Sequence, residues 1–242
     1  MVRFRGMSVN SLDLSLNPRP AAQLSHIGRE GEPLLRLDGL MRDAGQLVDY
    51  AARQGGFEPV HGPAGGYPGI RAPAPLDYVG AVVRALDPVL REAFGLHGVR
   101  LGRAECNFSI VTLGGGDLAP SQRVPHIDTT DPLQFAFLHY LCGPEQGGTA
   151  FYRHRATGFE AITPERQPHY EAVRATEPEP APGYIAGDTA EFEQVAAADA
   201  VFDRLLVYRS RQLHSGLVTG AGTSDPRTGR LTANIFVSYR AV

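Results

Sequence analysis

A histidine and an aspartate, His126 and Asp128, are separated by one residue in the stretch RVPHIDTTDP. In an extended segment, residues i and i+2 project to the same side, so this imidazole and this carboxylate point together and could bind a divalent metal ion. The alternative is a solvated turn with a hydrogen-bonded histidine, because so short a pattern also arises by chance. The pair alone therefore indicates only a candidate site.

A second histidine, His214, strengthens the metal interpretation by its place in the chain. It follows the apolar and polar run VYRSRQL at the end of a predicted strand, next to Gly216, where a backbone can come close to a ligand. Two histidines and one aspartate that leave coordination positions open form the facial triad of non-haem Fe(II) oxygenases. We therefore expect His126, Asp128 and His214 to converge on one ion.

The predicted strand after His214 carries three polar residues on one face. Arg230, Thr232 and Asn234 alternate with apolar residues, and Arg230 lies sixteen residues after His214. Inward-facing polar groups are costly unless something binds them. A guanidinium offers two parallel donors to a carboxylate. This face is therefore a candidate site for a carboxylate ligand.

These features, in this order, resemble the Fe(II)/2-oxoglutarate-dependent dioxygenases, and the resemblance spans about residues 100–240. Residues 137–152, FLHYLCGPEQGGTAFY, are similar to a segment of the prolyl-hydroxylase-like branch of that superfamily. The chain also resembles a bacterial group of biofilm-associated (BsmA-like) proteins. A tyrosine that often lies on the first barrel strand of the superfamily is absent from residues 107–113.

The resemblance implies a double-stranded β-helix, or jelly roll, with His126, Asp128 and His214 as ligands of Fe(II). It implies that Arg230 binds the distal carboxylate of the co-substrate 2-oxoglutarate, with Thr232 or Asn234 assisting and the Tyr140 hydroxyl donating to the same carboxylate. Dioxygen would be the second co-substrate, and 2-oxoglutarate would be decarboxylated to succinate while a small molecule or a peptide side chain is oxidised. From the residues alone, Tyr140 could equally be a core aromatic residue with a satisfied hydroxyl.

Composition excludes several other classes of protein. All 23 basic residues are arginine, so a Schiff-base lysine and a Walker A phosphate loop are both impossible. A net charge of −3 with no basic stripe argues against nucleic-acid binding. Two cysteines exclude a disulfide framework, and the absence of a long apolar run or signal peptide predicts a cytoplasmic protein without a membrane span. The oligomeric state stays open.

The order of elements predicts an α+β fold, mainly β, in one domain over residues 1–242. Residues 1–32 are expected to form an irregular leader, and helices over 40–53 and 77–94 complete an N-terminal support that ends at residue 99. Residues 100–242 are expected to form the β-helix core, with one helical insert at 164–176. The Gly- and Pro-rich residues 59–75 are expected to form an extended loop, either a lid or a connector.

Three interpretations of function remain open at this point. The first is an Fe(II)/2-oxoglutarate-dependent oxygenase, and the second is a non-catalytic barrel with a regulatory or interaction role, for example in biofilm or stress response. The third is a cupin-like metal enzyme that uses no 2-oxoglutarate, which Arg230 disfavours. Two further histidines are expected to have no catalytic role. His139 is predicted to be a hydrogen-bonded core residue, and His154 is predicted to face solvent.

Overall fold

Antiparallel strands make up most of the structure, a computed structural model that describes residues 12–63, 65–220 and 222–242. The described residues form three α-helices: α1 Gly45–Gln54, α2 Leu76–Ala93 and α3 Gln167–Arg174. They form eleven strands: β1 Ala21–Ile27, β2 Glu32–Asp38, β3 Glu58–Gly62, β4 Gly65–Pro73, β5 Val99–Val111, β6 Gln134–Tyr140, β7 Gly147–His154, β8 Phe192–Asp199, β9 Arg204–Arg209, β10 His214–Val218 and β11 Leu231–Ala241. The fold class is therefore mainly β, as predicted.

The strands form two antiparallel sheets. The larger has eight strands in the order β1-β2-β9-β6-β11-β5-β4-β3, and the smaller has three in the order β10-β7-β8. Side chains of both sheets share one apolar cluster, in which Phe151 of β7 packs with Tyr140 of β6 and Tyr208 of β9. The two sheets thus face each other.

The central strand β11 shows how the sequence separates the two faces of the larger sheet. Side chains alternate across a strand, so Leu231, Ala233 and Ile235 face one side while Thr232 and Asn234 face the other. The first set is fully buried in the main apolar cluster together with α1 and α2. The second set faces the smaller sheet and lines a cavity. The polar residues of β11 therefore mark the functional face.

The two N-terminal helices cover the outer face of the larger sheet, as predicted. Helix α1 buries Leu47 and Ala51, and helix α2 buries a stripe that includes Val82, Leu86 and Leu90 at helical spacing. Among the described residues, no helix is both long and apolar enough to cross a membrane.

The predicted irregular leader is wrong for its second half, because residues 21–27 form β1, which pairs with β2 and thereby joins the larger sheet at β9. Strand β1 lies at the sheet edge and its first four residues are exposed, so it lacks the apolar alternation that signals a strand. Residues 1–11 of the predicted leader lie outside the described part of the chain.

The expected extended loop at 59–75 is also corrected: most of it forms the hairpin β3–β4, which extends the larger sheet next to β5. Prolines are tolerated here because Pro59 lies on the edge strand β3, Pro68 lies opposite the register shift of the β3–β4 pair, and Pro73 is the last residue of β4. Gly69 permits its approach to β5, since a Cβ at this position would lie 1.9 Å from the Ile110 carbonyl oxygen. The hairpin therefore contributes side chains to the cavity as part of a sheet.

Candidate metal centre and adjoining cavity

The three predicted metal ligands lie together at one end of the space between the sheets. His126 and His214 pair through their backbones, with N–O distances of 2.9 Å in both directions, and the Asp128 amide donates to the Ser210 carbonyl at 2.8 Å. One ligand atom from each of the three side chains lies within 4.8 Å of the others. Backbone pairing thus places the short motif beside the start of β10.

The His214 ring is held in the orientation that a metal ligand needs. Its Nδ1 lies 2.8 Å from the Gln212 carbonyl oxygen, which can only accept, so Nδ1 carries the proton. The lone pair is then on Nε2, which lies 3.9 Å from Asp128 Oδ2. In metal-binding histidines, the ring nitrogen that does not bind the metal usually donates its proton to a carbonyl, a carboxylate or water.

The surroundings favour the neutral form of both imidazoles and of the carboxyl group; His214 is buried, whereas His126 and Asp128 are partly open to solvent. Burial lowers the pKa of His126 and of His214 to about 4 each, and the two rings, 4.4 Å apart, add to the effect at His126. Burial also raises the pKa of Asp128, whose side chain is 18% exposed. Neutral histidines can donate lone pairs, and a bound cation would supply the counter-charge that the Asp128 carboxylate needs.

The donor set fits a divalent transition metal such as Fe(II). Two imidazoles and one carboxylate on one side of the ion leave the remaining positions for other ligands. Ligands about 2.1 Å from one ion and at right angles lie about 3 Å apart, so small side-chain rotations would close the observed spacing. Among the described residues, no other group of three histidine, cysteine or acidic side chains has ligand atoms this close together.

A cavity of about 410 Å³ extends from these ligands between the two sheets, and Arg230 lies at its wall. Arg230 immediately precedes β11 and is 5% exposed. One of its terminal nitrogens, Nη2, donates to the Gly148 carbonyl at 2.7 Å, while Nε has no partner. The guanidinium is thus fixed by the smaller sheet and retains donors for a ligand.

Three other buried polar atoms in the cavity form no hydrogen bond of good geometry, although the hydroxyls of Tyr67 and Thr232 adjoin each other. They are Thr232 Oγ1, Asn234 Oδ1 and the Tyr67 hydroxyl oxygen. Buried polar atoms are nearly always hydrogen-bonded in proteins, so such a group at one cavity wall indicates a polar ligand. Thr232 and Asn234 thus lie where the sequence placed them, beside Arg230.

A sequence comparison assigns the family. The sequence profile described as "Family of unknown function (DUF6445)" matches residues 18–237. The chain belongs to this family. The match includes both sheets and every residue of the metal centre and the cavity named above. No curated protein sequence matches significantly.

Several solved structures resemble this DUF6445 chain at low identity. The non-haem α-ketoglutarate-dependent epimerase SnoN from nogalamycin biosynthesis is 12% identical over 86% of this chain and 78% of its own, with a TM-score of 0.48. HygX from Streptomyces hygroscopicus, with nickel, 2-oxoglutarate and hygromycin B bound, is 13% identical over 85% and 82%, with a TM-score of 0.44. These likenesses carry no conclusion about reaction or substrate, and nothing here supports the similarity to biofilm-associated proteins.

Of the four residues that the resemblance implies for 2-oxoglutarate binding, Tyr140 is the one that does not line the cavity. It is fully buried and is not among the residues that line the cavity, and its hydroxyl lies 2.6 Å from Thr149 Oγ1. Its ring centroid lies 5.8 Å from the Arg230 guanidinium carbon. The structure thus gives Tyr140 a place behind Arg230, so that any effect on a carboxylate would act through that side chain.

We expect Tyr140→Phe to change the affinity for 2-oxoglutarate by less than about threefold. The substitution leaves the Thr149 hydroxyl without its buried partner and should lower the free energy of unfolding by about 1–3 kcal/mol. Calorimetric titration and denaturant unfolding of the same variant separate the two effects. A tenfold loss of affinity would instead show direct contact with the co-substrate.

Sequence reasoning missed two cavity residues, Tyr67 and Arg71, because their segment was assigned to a loop. Both lie on β4, four residues apart, and so face the same side of the sheet. The alternation Tyr67-x-Gly69-x-Arg71 was the available signal, but five prolines between residues 59 and 75 obscured it. Tyr67 thus supplies a phenol to the cavity, whereas the neighbouring strand β5 has no tyrosine.

The two remaining histidines are both buried. His139 is a core residue, as predicted, with Nδ1 at 2.8 Å from the Tyr78 hydroxyl and Nε2 at 3.0 Å from Asp203 Oδ1. The assignment of His154 to solvent is wrong. It is fully buried and lies 2.7 Å from Glu177 Oε1, since β7 is covered by the segment that contains α3.

Proposed function

We propose that this chain is an Fe(II)/2-oxoglutarate-dependent oxygenase, built as one domain around a double-stranded β-helix, that oxidises a small molecule. The observation that carries the proposal is the convergence of a two-histidine, one-carboxylate centre and a buried arginine with a free donor on one cavity. The first feature suits a metal ion with open positions, and the second suits the carboxylate of a ligand that reaches it.

His126, Asp128 and His214 would hold the metal ion. The Gln212 carbonyl keeps His214 in the required tautomer, and the backbone pairing of His126 with His214 holds the two rings side by side. Bound Fe(II), with 2-oxoglutarate and dioxygen, would supply the oxidation: one atom of dioxygen would enter the succinate formed as 2-oxoglutarate loses carbon dioxide, and the other would go to the substrate.

Arg230 would orient the co-substrate through its distal carboxylate. The Gly148 carbonyl holds the guanidinium in place, so little conformational freedom is lost when the carboxylate binds. Thr232 and Tyr67 can donate hydroxyl protons to the same group, which would satisfy atoms that otherwise lack a partner. Burial of Arg230 also keeps water from competing for the ion pair.

The proposal predicts that 2-oxoglutarate stabilises the protein only in the presence of a divalent metal ion. A ligand at about 100 times its dissociation constant adds about 2.7 kcal/mol to the free energy of unfolding. For a chain of this length that corresponds to a rise in Tm of roughly 5–10 °C. Differential scanning fluorimetry with Zn(II), with 2-oxoglutarate and with both measures it.

The outcomes separate the three functional classes. Stabilisation by the pair beyond that by metal alone supports the oxygenase. Stabilisation by the metal with no further effect of 2-oxoglutarate supports a metal enzyme of the cupin kind. No effect of either ligand contradicts the proposal and favours a non-catalytic role.

A further inference from the structure

A second arginine, Arg71, lies in the same cavity as the metal centre. Its Nε donates to Ser109 Oγ at 3.1 Å, and its guanidinium carbon lies 4.5 Å from the centroid of the Tyr67 ring. None of the ion pairs between described residues involves Arg71. Its position is thus fixed on one side, while the two terminal nitrogens remain available.

The two arginines occupy different parts of the cavity. Arg230 is anchored to Gly148 of the smaller sheet, whereas Arg71 is anchored to Ser109 of β5 in the larger sheet. Both arginines line the cavity that also contains His126, Asp128 and His214. Because they are anchored to different walls, Arg71 can hold a second ligand beside the metal centre while Arg230 holds the first.

The charges in the cavity are unbalanced once the co-substrates of the proposed function are included. The charged lining residues are Arg71, Arg230 and Asp128, and each histidine would bind the metal ion as a neutral imidazole. A divalent ion and the 2-oxoglutarate dianion cancel each other, and Asp128 balances one arginine. One positive charge is left over. Because Arg230 would pair with 2-oxoglutarate, Arg71 is the arginine that lacks an ionic partner.

We propose that the substrate carries a carboxylate and that Arg71 binds it through its two terminal nitrogens, next to the metal centre. This inference rests on the proposed function. A planar fork of two donors matches a carboxylate, whereas a phosphate dianion is usually held by several donors and a helix N-terminus or a backbone nest. The rest of the substrate is apolar or aromatic, since it would contact Tyr184, Tyr208, Leu138, Phe236, Val111 and Val218.

The test uses carboxylic acids and their matched primary amides as probes: benzoate with benzamide, phenylacetate with phenylacetamide, and hexanoate with hexanamide. The protein is loaded with Zn(II) and saturating 2-oxoglutarate, so that the Arg230 position is filled and no turnover occurs. Ligand-observed NMR then gives the affinity of each probe. We expect at least one acid to bind tenfold more tightly than its amide.

Arg71→Gln should abolish this preference while the affinity for 2-oxoglutarate changes by less than about twofold. Arg84→Gln is the matched control, because it removes the same charge from an exposed position on α2 and should retain the preference. If Arg71→Gln does not fold, Arg71→Lys serves, since an ammonium lacks the two-donor fork and should weaken the preference.

Two results would overturn the inference and leave the proposed function intact. The first is a wild-type protein that binds 2-oxoglutarate and shows no preference for any acid over its amide. The second is a tenfold or greater loss of 2-oxoglutarate affinity in Arg71→Gln, which would place Arg71 in the co-substrate site. Failure of the wild type to bind 2-oxoglutarate at all would overturn the proposed function and this inference together.

Discussion

Asp128→Ala is expected to lower the affinity for Fe(II) by more than about 100-fold. Asp128 is the one anionic residue of the metal centre, and the two imidazoles that remain are neutral. Substitution of groups that merely orient metal ligands already costs about 10- to 100-fold in affinity, so loss of a ligand should cost more. The measurement is metal content after anaerobic dialysis against a range of free Fe(II) concentrations.

The fold should survive this substitution, because the Asp128 side chain lies at the cavity and outside the apolar clusters. Asp77→Ala is the matched control, since it removes the same group from an exposed position at the start of α2. Equal metal content in Asp128→Ala and in wild type would show that the ion binds elsewhere.

Arg230→Ala is expected to weaken 2-oxoglutarate binding by about 2–5 kcal/mol, the range for removing one side of a buried charge pair. That range corresponds to about 30- to 5,000-fold in the dissociation constant. Arg230 is 5% exposed, and water that enters the space left by alanine carries no charge, so it cannot replace the ion pair at equal strength. Titration of the Fe(II)-loaded protein with 2-oxoglutarate under nitrogen measures the loss.

Metal affinity should change little in the same variant, because Arg230 is not a metal ligand. Arg227→Ala is the control: it lies three residues away, is exposed and pairs with Asp49 at the surface. If Arg230→Ala and wild type bind 2-oxoglutarate equally, another group binds the carboxylate and this assignment is wrong.

Much of the metal centre could be predicted from the sequence because strand geometry is regular. One extended residue separates His126 from Asp128, and His214 lies at the end of a predicted strand. The direction of each side chain therefore follows from local spacing. That all three meet at one point depends on the pairing of residue 126 with residue 214, which the sequence does not encode locally. The polar face of β11 was predictable for the same reason, since alternation has a period of two residues.

The rest of the cavity could not be predicted, for two physical reasons. Arg71 and Tyr67 lie on β4, in a hairpin whose prolines and glycines indicate a loop, although the edge strand β3 and the register shift between β3 and β4 tolerate them. Strand alternation does predict that the Tyr140 side chain points into the space between the sheets. Its hydroxyl, however, is hydrogen-bonded to Thr149 of the smaller sheet. Such hydrogen-bond partners depend on which strands face each other in the fold, and the local sequence pattern does not predict this.

The central claim is that the metal centre and the cavity act together to bind 2-oxoglutarate to the metal ion. The most direct test is the visible absorption spectrum of the protein with Fe(II), titrated with 2-oxoglutarate in the absence of oxygen. We expect a saturable charge-transfer band in the wild type, no band in Asp128→Ala, and a band in Arg230→Ala only at much higher 2-oxoglutarate concentrations. A wild-type protein that retains Fe(II) and shows no band at any 2-oxoglutarate concentration would contradict it.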